Sequence, residues 1–365
     1  MNQSEKDVLY LCACALRGQA ADPERIGKMD LSQVYEISSR HKITGIITQT
    51  LSGTKEDLNN FIQTCAGSIR RAYFFENAWK NVREELEKAG IWYMPLKGAV
   101  LQHYYPVFGM REMTDYDVLI DPGRTADIKE IMENLGYQIH SYDMYNHDVY
   151  IKPPVLNFEM HRALFAFYDG DKLYKYYQNL EERLIPKEGH EYTMSPEDQY
   201  IYIVAHSYKH YYSEGMGLRP LFDIYLYLQK EKPDSAYVDA ETEKMGIQKF
   251  EHLIRSLSVH LIEGGSLTPE EEESLEYILS SGHYGSYENQ ISNQIGESRW
   301  GKLGYVLQRL SVPINPKDNR YKYFADYYPL FYRHKILLPL LPVYRVLRSI
   351  KSGSFSREAD VFRKA

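Results

Sequence analysis

The chain has 365 residues, of which 44% are hydrophobic and 25% are charged, and its net charge is −7. These proportions are typical of a folded globular protein of roughly two or three domains, and they exclude a disordered tail protein, a collagen-like rod and a small disulfide scaffold. The three cysteines, Cys12, Cys14 and Cys65, are too few for a disulfide framework. We interpret them as buried small hydrophobic residues.

The first 90 residues form the first predicted region. Their apolar side chains recur at three- and four-residue spacing, which is typical of amphipathic helices. The clearest predicted helix covers residues 69–89 and ends with Lys88 before Gly90, a common helix stop. The N-terminus lacks a basic start followed by an apolar segment, and no apolar run approaches the roughly 18 residues that span a bilayer. The sequence therefore predicts a cytoplasmic protein.

Residues 91–190 have a different pattern and form the second predicted region. Short apolar runs that indicate strands alternate with turns and short helices. In chain order we predict a strand over 91–96, a turn at Lys97-Gly98, helical turns over 99–105, a strand over 116–121, a helix over 126–135, and strands over 148–152 and 155–161 joined by a tight turn at Pro153-Pro154. The predicted fold class is α+β, with a small mixed-sheet core flanked by N-terminal and C-terminal helical regions.

Residues 191–365 form a third region, predicted to be helical. Ser195 followed by Pro196 is a typical helix start, and amphipathic helices are predicted over 196–209, 220–230 and 249–262. The tail over 319–365 has ten Lys or Arg against three Asp or Glu, so it carries +7 and the remainder carries −14. Such a tail suits peripheral contact with an anionic membrane surface or a partner, although a solvated helical tail is the alternative.

Two carboxylates stand close together at the start of the predicted strand over 116–121. Asp115 and Asp117 share one face because side chains alternate along a strand, while Tyr116 and Val118 face the core. Two acids on one face repel each other unless a cation lies between them. Carboxylate oxygens suit Mg²⁺, which shares its coordination shell with substrate phosphates.

A third acid is predicted in the strand over 155–161, where alternate residues are apolar. The polar face of this strand carries Glu159 and His161. If this strand lies beside the strand of Asp115 and Asp117, Glu159 reaches the same cation.

These motifs resemble a known superfamily when they are read in order. Leu96-Lys97-Gly98, Arg111-x-x-x-Asp115-x-Asp117 and Glu159-x-His161 are similar to the signatures of the polymerase-β-type nucleotidyltransferases, and more narrowly to an uncharacterised bacterial nucleotidyltransferase family. The helical segment that contains His206, His210, Arg219 and Asp223 is similar too, so the resemblance covers roughly residues 60–230. One departure is Ala99, because the superfamily usually has Ser after this glycine, where its hydroxyl helps to hold the phosphates.

The resemblance implies that the protein transfers a nucleoside monophosphate. Asp115, Asp117 and Glu159 would be the catalytic residues and would bind Mg²⁺, with Mn²⁺ as an alternative cation. The expected nucleotide is ATP, and AMP would pass to a hydroxyl group on a small molecule or a protein. Glu159 would either complete the metal shell or accept the proton of the attacking hydroxyl.

Lys97, Gly98 and Arg111 are the predicted nucleotide-binding residues. The resemblance implies that backbone N–H groups after Gly98 and the charge of Lys97 hold phosphate. The planar guanidinium group of Arg111 would match phosphate oxygens. Arg219 and Asp223, four residues apart, are expected to form a helix ion pair.

His161, His206 and His210 are candidate substrate-lining residues. His206 and His210 share one helix face, but Ser207 stands where a His-Glu-x-x-His protease would have Glu, which argues against a metalloprotease. The pair either lines the cleft or forms hydrogen bonds with Asp223.

A second hypothesis is a non-catalytic nucleotide-binding or partner-binding module that retains the fold. The three acids argue against it, since binding alone does not require them, and Ala99 argues slightly for it. The acidic body argues against nucleic acid as a partner, because nucleic acid binding relies on clustered Lys and Arg.

Overall fold

The computed structural model describes residues 1–51, 58–143, 146–166, 171–283, 285, 287–298, 300–315, 318, 321–351, 358–359 and 361–363. A five-stranded mixed sheet is flanked by helices on both sides, which confirms the predicted α+β fold class. The α-helices are α1 (Gln3–Leu16), α2 (Pro23–Ile26), α3 (Leu31–His41), α4 (Thr44–Leu51), α5 (Asn59–Lys88), α6 (Gly98–Leu101), α7 (Thr125–Asn134), α8 (Asp171–Tyr176), α9 (Pro196–Tyr212), α10 (Arg219–Glu231), α11 (Ser235–Met245), α12 (Gln248–Glu263), α13 (Pro269–Ser281), α14 (Tyr287–Glu297), α15 (Gly301–Leu310), α16 (Tyr321–Tyr327), α17 (Pro329–Arg333) and α18 (Leu341–Lys351).

Short 3-10 helices occupy Gln102–Tyr104, Pro122–Arg124, Leu180–Arg183 and Lys335–Leu340. The strands of the main sheet are β1 (Tyr93–Pro95), β2 (Tyr116–Ile120), β3 (Gln138–Ser141), β4 (His147–Lys152) and β5 (Leu156–His161). Strands β6 (Ile185–Pro186) and β7 (Tyr192–Thr193) form a separate small hairpin.

The main sheet has the strand order β1-β2-β5-β4-β3. Strands β2 and β5 are parallel neighbours, and the other pairs are antiparallel. Asp117 lies opposite Glu159 in the β2–β5 register, so the predicted pairing of these two strands is confirmed. Strand β3 was not predicted.

The two faces of the sheet pack against different helices. Tyr116, Val118 and Ile120 lie in a core with α5 and α7, as their alternation predicted. Leu119, on the face that it shares with Asp117, packs into a second core. That core also contains side chains of α1, α3 and α4 and of α9–α13, so the N-terminal and later helices are packed together. The predicted domain boundaries at 90 and 190 stay a prediction.

The C-terminal helices are built around two small apolar clusters of their own. One contains Ile291, Ile295, Tyr305 and Val361. The other contains Phe324, Tyr332, Leu338 and Leu341. Within the described part of the chain, none of the helices is both long enough and apolar enough to cross a bilayer.

His41 connects the N-terminal helices to the start of α10. Its side chain is fully buried, and its Nδ1 atom accepts a hydrogen bond from the Leu218 N–H at 3.2 Å. Burial, followed by the charge of Arg40, lowers the pKa of His41 from 6.5 to about 4. The folded protein therefore holds a neutral imidazole here at neutral pH.

We expect His41→Asn to weaken the pH dependence of stability. Between pH 6.5 and about 4 the unfolded chain binds the proton of His41 more readily than the folded protein, so the free energy of unfolding falls as the pH falls. This contribution amounts to about 3 kcal/mol. Asn retains an acceptor in place of Nδ1 but does not titrate. Urea denaturation at a series of pH values measures the difference, with the exposed His103→Asn as the control; equal slopes for His41→Asn and the wild type would contradict the prediction.

Candidate active site

A cleft of about 310 Å³ opens between the sheet and helices α9 and α10. All nine residues predicted for the site line it: Lys97, Gly98, Arg111, Asp115, Asp117, Glu159, His161, His206 and His210. They come from segments spread over more than 100 positions, and the fold brings them to one place. Their individual roles stay predictions.

Asp117 lies at the centre of a buried charge network. Its Oδ1 atom accepts hydrogen bonds from Lys97 Nζ at 2.8 Å and from His161 Nε2 at 2.7 Å. Burial acts to raise the pKa of Asp117, but Lys97 and His161 outweigh it and hold this pKa well below its usual range. Among the described residues no hydrogen bond falls on Oδ2, so an ionised carboxylate keeps one oxygen available for a ligand.

The main chain at Lys97 directs this side chain towards Asp117. Lys97 has φ 45° and ψ −117°, a conformation that favours glycine and costs energy for any residue with a Cβ atom. The Leu96 N–H donates to the Asp117 carbonyl oxygen at 2.9 Å, which holds this bend against β2. Burial acts to lower the pKa of Lys97, but Asp117, together with smaller effects of Tyr202, Glu159 and Asp115, outweighs burial and raises it, so the ammonium stays charged.

Gly98 follows this bend and has no room for a side chain. A Cβ atom here would lie 2.7 Å from Arg111 Nη1 and 3.0 Å from Met113 Sδ. The glycine therefore lets the guanidinium group of Arg111 approach the main chain. Its predicted contact with phosphate stays a prediction.

Arg111 forms a two-pronged ion pair with Asp223 of α10. Its Nε atom donates to Oδ1 at 2.8 Å and its Nη2 atom donates to Oδ2 at 2.9 Å, while the Tyr105 hydroxyl also donates to Oδ1 at 2.8 Å. Both partners are buried. The planar fork predicted to match phosphate is thus engaged by Asp223, and Arg111 joins the two walls of the cleft.

This pairing corrects two expectations about α10. Asp223 was expected to pair with Arg219, and hydrogen bonds from His206 or His210 to Asp223 were one alternative. Arg219 instead donates to the Glu112 carbonyl oxygen at 2.6 Å. Asp223 is taken by Arg111 because the bidentate geometry places two charge-assisted hydrogen bonds on one carboxylate.

Asp115 shows the effect of three acids in one cleft. Burial, followed by the charges of Asp117 and Glu159, raises the pKa of Asp115 to about 6, although Lys97 and Arg219 oppose the rise. Converging negative charges of this kind are relieved by a cation, and carboxylate oxygens suit Mg²⁺.

A family described as an uncharacterised nucleotidyltransferase matches residues 27–263, which is more than half of the chain. The chain belongs to this nucleotidyltransferase family. No curated protein and no solved structure matches it. The predicted resemblance is therefore confirmed, and a transferase is supported at this general level.

Glu159 of this nucleotidyltransferase lies beside two imidazoles. Its Oε2 atom is 3.6 Å from His161 Nε2 and 3.6 Å from His147 Nε2, and these three side chains place ligand atoms within 4.8 Å of one another. Burial acts to raise the pKa of Glu159, but the neighbouring His161, together with Lys97 and His147, outweighs it and the pKa is lowered. Burial, followed by the charge of His161, lowers the pKa of His147 to about 4.

His147 was not among the predicted site residues. It lies on β4 directly opposite His161 of β5. Counting outwards from the predicted two-residue turn at Pro153-Pro154 would pair Lys152 with Val155 and His147 with Met160. In the structure Val155 also belongs to the loop, so Lys152 pairs with Leu156 and His147 with His161.

The far wall of the nucleotidyltransferase cleft carries further imidazoles. His206 and His210 share one face of α9, with their Nε2 atoms 3.2 Å apart, and His210 Nδ1 lies 2.8 Å from Glu214 Oε1. Burial, followed by the charges of Lys97 and His210, lowers the pKa of His206 well below 6.5. His283, which follows α13, also lines the cleft and was not predicted; burial and the charge of Arg219 lower its pKa to about 2.

We expect Asp223→Asn to destabilise the protein by about 3 kcal/mol or more, because it leaves the buried guanidinium of Arg111 without its counter-charge. Urea denaturation of the purified variant measures the change in the free energy of unfolding. The matched control is Asp127→Asn, which breaks an ion pair with Arg124 between two exposed side chains and should cost less than about 1 kcal/mol. Similar losses in the two variants would contradict the structural role of the Arg111–Asp223 pair.

Proposed function

We propose that the protein is a Mg²⁺-dependent nucleotidyltransferase that transfers AMP from ATP to a hydroxyl group of a small molecule or a protein. The observation that carries this proposal is the meeting of Asp115, Asp117 and Glu159 in one cleft, in a chain of a nucleotidyltransferase family. The raised pKa of Asp115 supports it, because burial and the charges of Asp117 and Glu159 make the ionised form of Asp115 unfavourable, and a cation beside these acids would stabilise it.

The donor set in the cleft fits a hard divalent cation. Asp117 through its Oδ2 atom and Asp115 are the residues that would hold it, since carboxylate oxygens are the ligands that Mg²⁺ prefers. When bound, the cation supplies electrostatic stabilisation for the charge on the phosphates during transfer.

Lys97 is placed to favour a phosphate-bearing substrate. Its ammonium remains charged in the cleft, and Lys209 and Arg219 also line it. Positive groups within a partly buried cleft raise the local concentration of an anionic substrate and strengthen its binding. The backbone bend keeps the ammonium beside Asp117 and therefore beside the cation position.

Glu159 is the candidate for accepting the proton of the attacking hydroxyl. Its lowered pKa keeps it ionised at neutral pH, and its Oε2 atom lies 3.6 Å from the Nε2 atoms of His147 and His161. A carboxylate that is ionised and within reach of the acceptor can take this proton during transfer.

A non-catalytic nucleotide-binding module is the second candidate. The observation that favours it is the ion pair of Asp117 with Lys97, which already neutralises one of the three acids. Such a module would bind a nucleotide without turning it over, so a turnover assay separates the two candidates.

The direct test is transfer of a labelled nucleotide. The purified protein is incubated with each α-labelled nucleoside triphosphate in turn, with Mg²⁺ and cell extract, and the label is followed into metabolites and proteins. We expect transfer from ATP, and we expect Asp117→Asn and Asp115→Asn each to lower its rate roughly 100-fold or more, because each removes several kcal/mol of transition-state stabilisation.

The exposed Asp127→Asn is the matched control and should retain full activity. Melting temperatures verify that the aspartate variants are folded. Unchanged labelling in folded Asp117→Asn and Asp115→Asn would reject the assignment of these ligands. Nucleotide binding with no transfer of label from any nucleotide would favour the non-catalytic module.

Because two imidazoles lie beside Glu159, we expect the transfer reaction to depend on which divalent cation is present. Imidazole nitrogen suits Mn²⁺ better than Mg²⁺. We expect His147→Asn to raise the Mn²⁺ concentration needed for half-maximal transfer about tenfold, while the Mg²⁺ requirement changes little. The exposed His103→Asn is the control. Equal shifts for both cations would show that His147 does not distinguish them.

A further inference from the structure

The C-terminal helices present an extended apolar surface to solvent. Of the 24 exposed large hydrophobic side chains among the described residues, 14 lie between Trp300 and Ile350. These residues lie beyond the part of the chain that the family model matches, and they pack around small cores of their own. Exposed apolar patches of this extent mark interaction surfaces.

Helix α15 carries one apolar stripe of this surface. Leu303, Val306, Leu307 and Leu310 recur at three- and four-residue spacing, so they lie on one face, and they are 36–61% exposed. An apolar groove of about 240 Å³ runs between α15 and α18, and Pro342 contributes to its lining. Val306 and Leu310 of the α15 stripe lie on one side of this groove, and Val346 of α18 lines it together with Pro342.

Helix α18 and the residue before it carry a second stripe. Leu340, Val343, Leu347 and Ile350 follow the same spacing and are 52–61% exposed, whereas Leu341 is fully buried in the small cluster beneath. The helix is thus anchored through its inner face. Its outer face is apolar where a helix on the surface of a globular protein is ordinarily polar.

Basic residues accompany these apolar stripes along the chain. The segment from Tyr327 to Lys351 contains five Lys or Arg and no Asp or Glu, whereas the chain outside 319–365 carries −14. Arg333, Lys335 and Lys351 are exposed. The surface therefore joins a broad apolar area to a positive charge.

We propose that the two stripes and the basic residues near them bind an anionic phospholipid surface. We call this part of the protein the membrane-binding face, and it would lie in the headgroup region of the bilayer. The stripes of α15 and α18 would enter the boundary of the acyl chains, and the basic side chains would contact anionic headgroups. Trp300 and Tyr344 are exposed beside the stripes and have the amphipathic rings that suit a membrane–water interface. Pro339 and Pro342 interrupt the apolar run, so the segment lies on the surface rather than across it. The proposal does not depend on nucleotidyl transfer.

Flotation of the full-length protein with vesicles tests the proposal. One set of vesicles is phosphatidylcholine alone, and the other contains about one-third phosphatidylserine. We expect binding to the anionic vesicles at least tenfold stronger than to the neutral ones, and we expect high salt to weaken it, because salt screens charges near the surface.

Two pairs of variants separate the apolar and the electrostatic parts. Val343→Glu with Leu347→Glu places charges on the exposed stripe, and Arg333→Glu with Lys335→Glu reverses the basic rim; each pair should lower binding at least tenfold. The matched controls are Ile62→Glu, which alters an equally exposed apolar residue of α5, and Lys28→Glu with Lys80→Glu, which reverses exposed charges on the body. Circular dichroism verifies that all variants keep the fold.

Three results would overturn the proposal. The first is equal binding to neutral and anionic vesicles, and the second is unchanged binding by the folded stripe variant. The third is self-association in light scattering that Leu347→Glu abolishes, with no binding to either vesicle, which would assign the face to contact between copies of the chain.

Discussion

The ion pair between Arg111 and Asp223 is the interaction on which the cleft depends. It connects the loop before β2 with α10, across 112 positions of the chain, and both partners are buried. A buried ion pair is retained at low cost only when its geometry satisfies most of its hydrogen-bonding groups. The bidentate fork and the Tyr105 hydroxyl meet that condition, so the distance between the sheet and the helical wall is held by directional bonds. The absence of a side chain at Gly98 follows from the same contact, because the guanidinium group occupies that space.

Within the cleft, positively and negatively charged side chains lie close to one another. Lys97 and His161 both contact one oxygen of Asp117, while Asp115 has no ion pair among those found for the described residues. The two aspartates are separated by a single residue, yet their pKa values move in opposite directions. Neighbouring carboxylates whose environments separate their proton affinities are a recurrent feature of catalytic sites.

The sequence predicts the parts of this structure that depend on local periodicity. The alternation in β2 and β5 was sufficient to place Tyr116 and Val118 in the core and Asp117 and Glu159 on the opposite face. Strand β3 was missed because it is an edge strand with polar residues, half-exposed side chains and an irregular register, so it lacks an apolar pattern. The partner of Arg111 could not be predicted, since the choice among distant carboxylates is made by tertiary packing. His147 lies between these cases, because the β4–β5 hairpin was predicted, but the pairing of His147 with His161 follows only once Val155 is known to lie in the loop.

The unusual backbone of Lys97 imposes conflicting demands on one position. A glycine would adopt φ 45° without strain but would remove the ammonium that neutralises Asp117. An uncharged residue with a Cβ atom would incur the conformational penalty without supplying the charge. Position 97 therefore tolerates lysine only as long as the electrostatic gain exceeds the torsional cost. If the negative charge around position 97 were reduced, glycine should become the preferred residue there. The residue found at this position in related chains would therefore indicate how negative the cleft is.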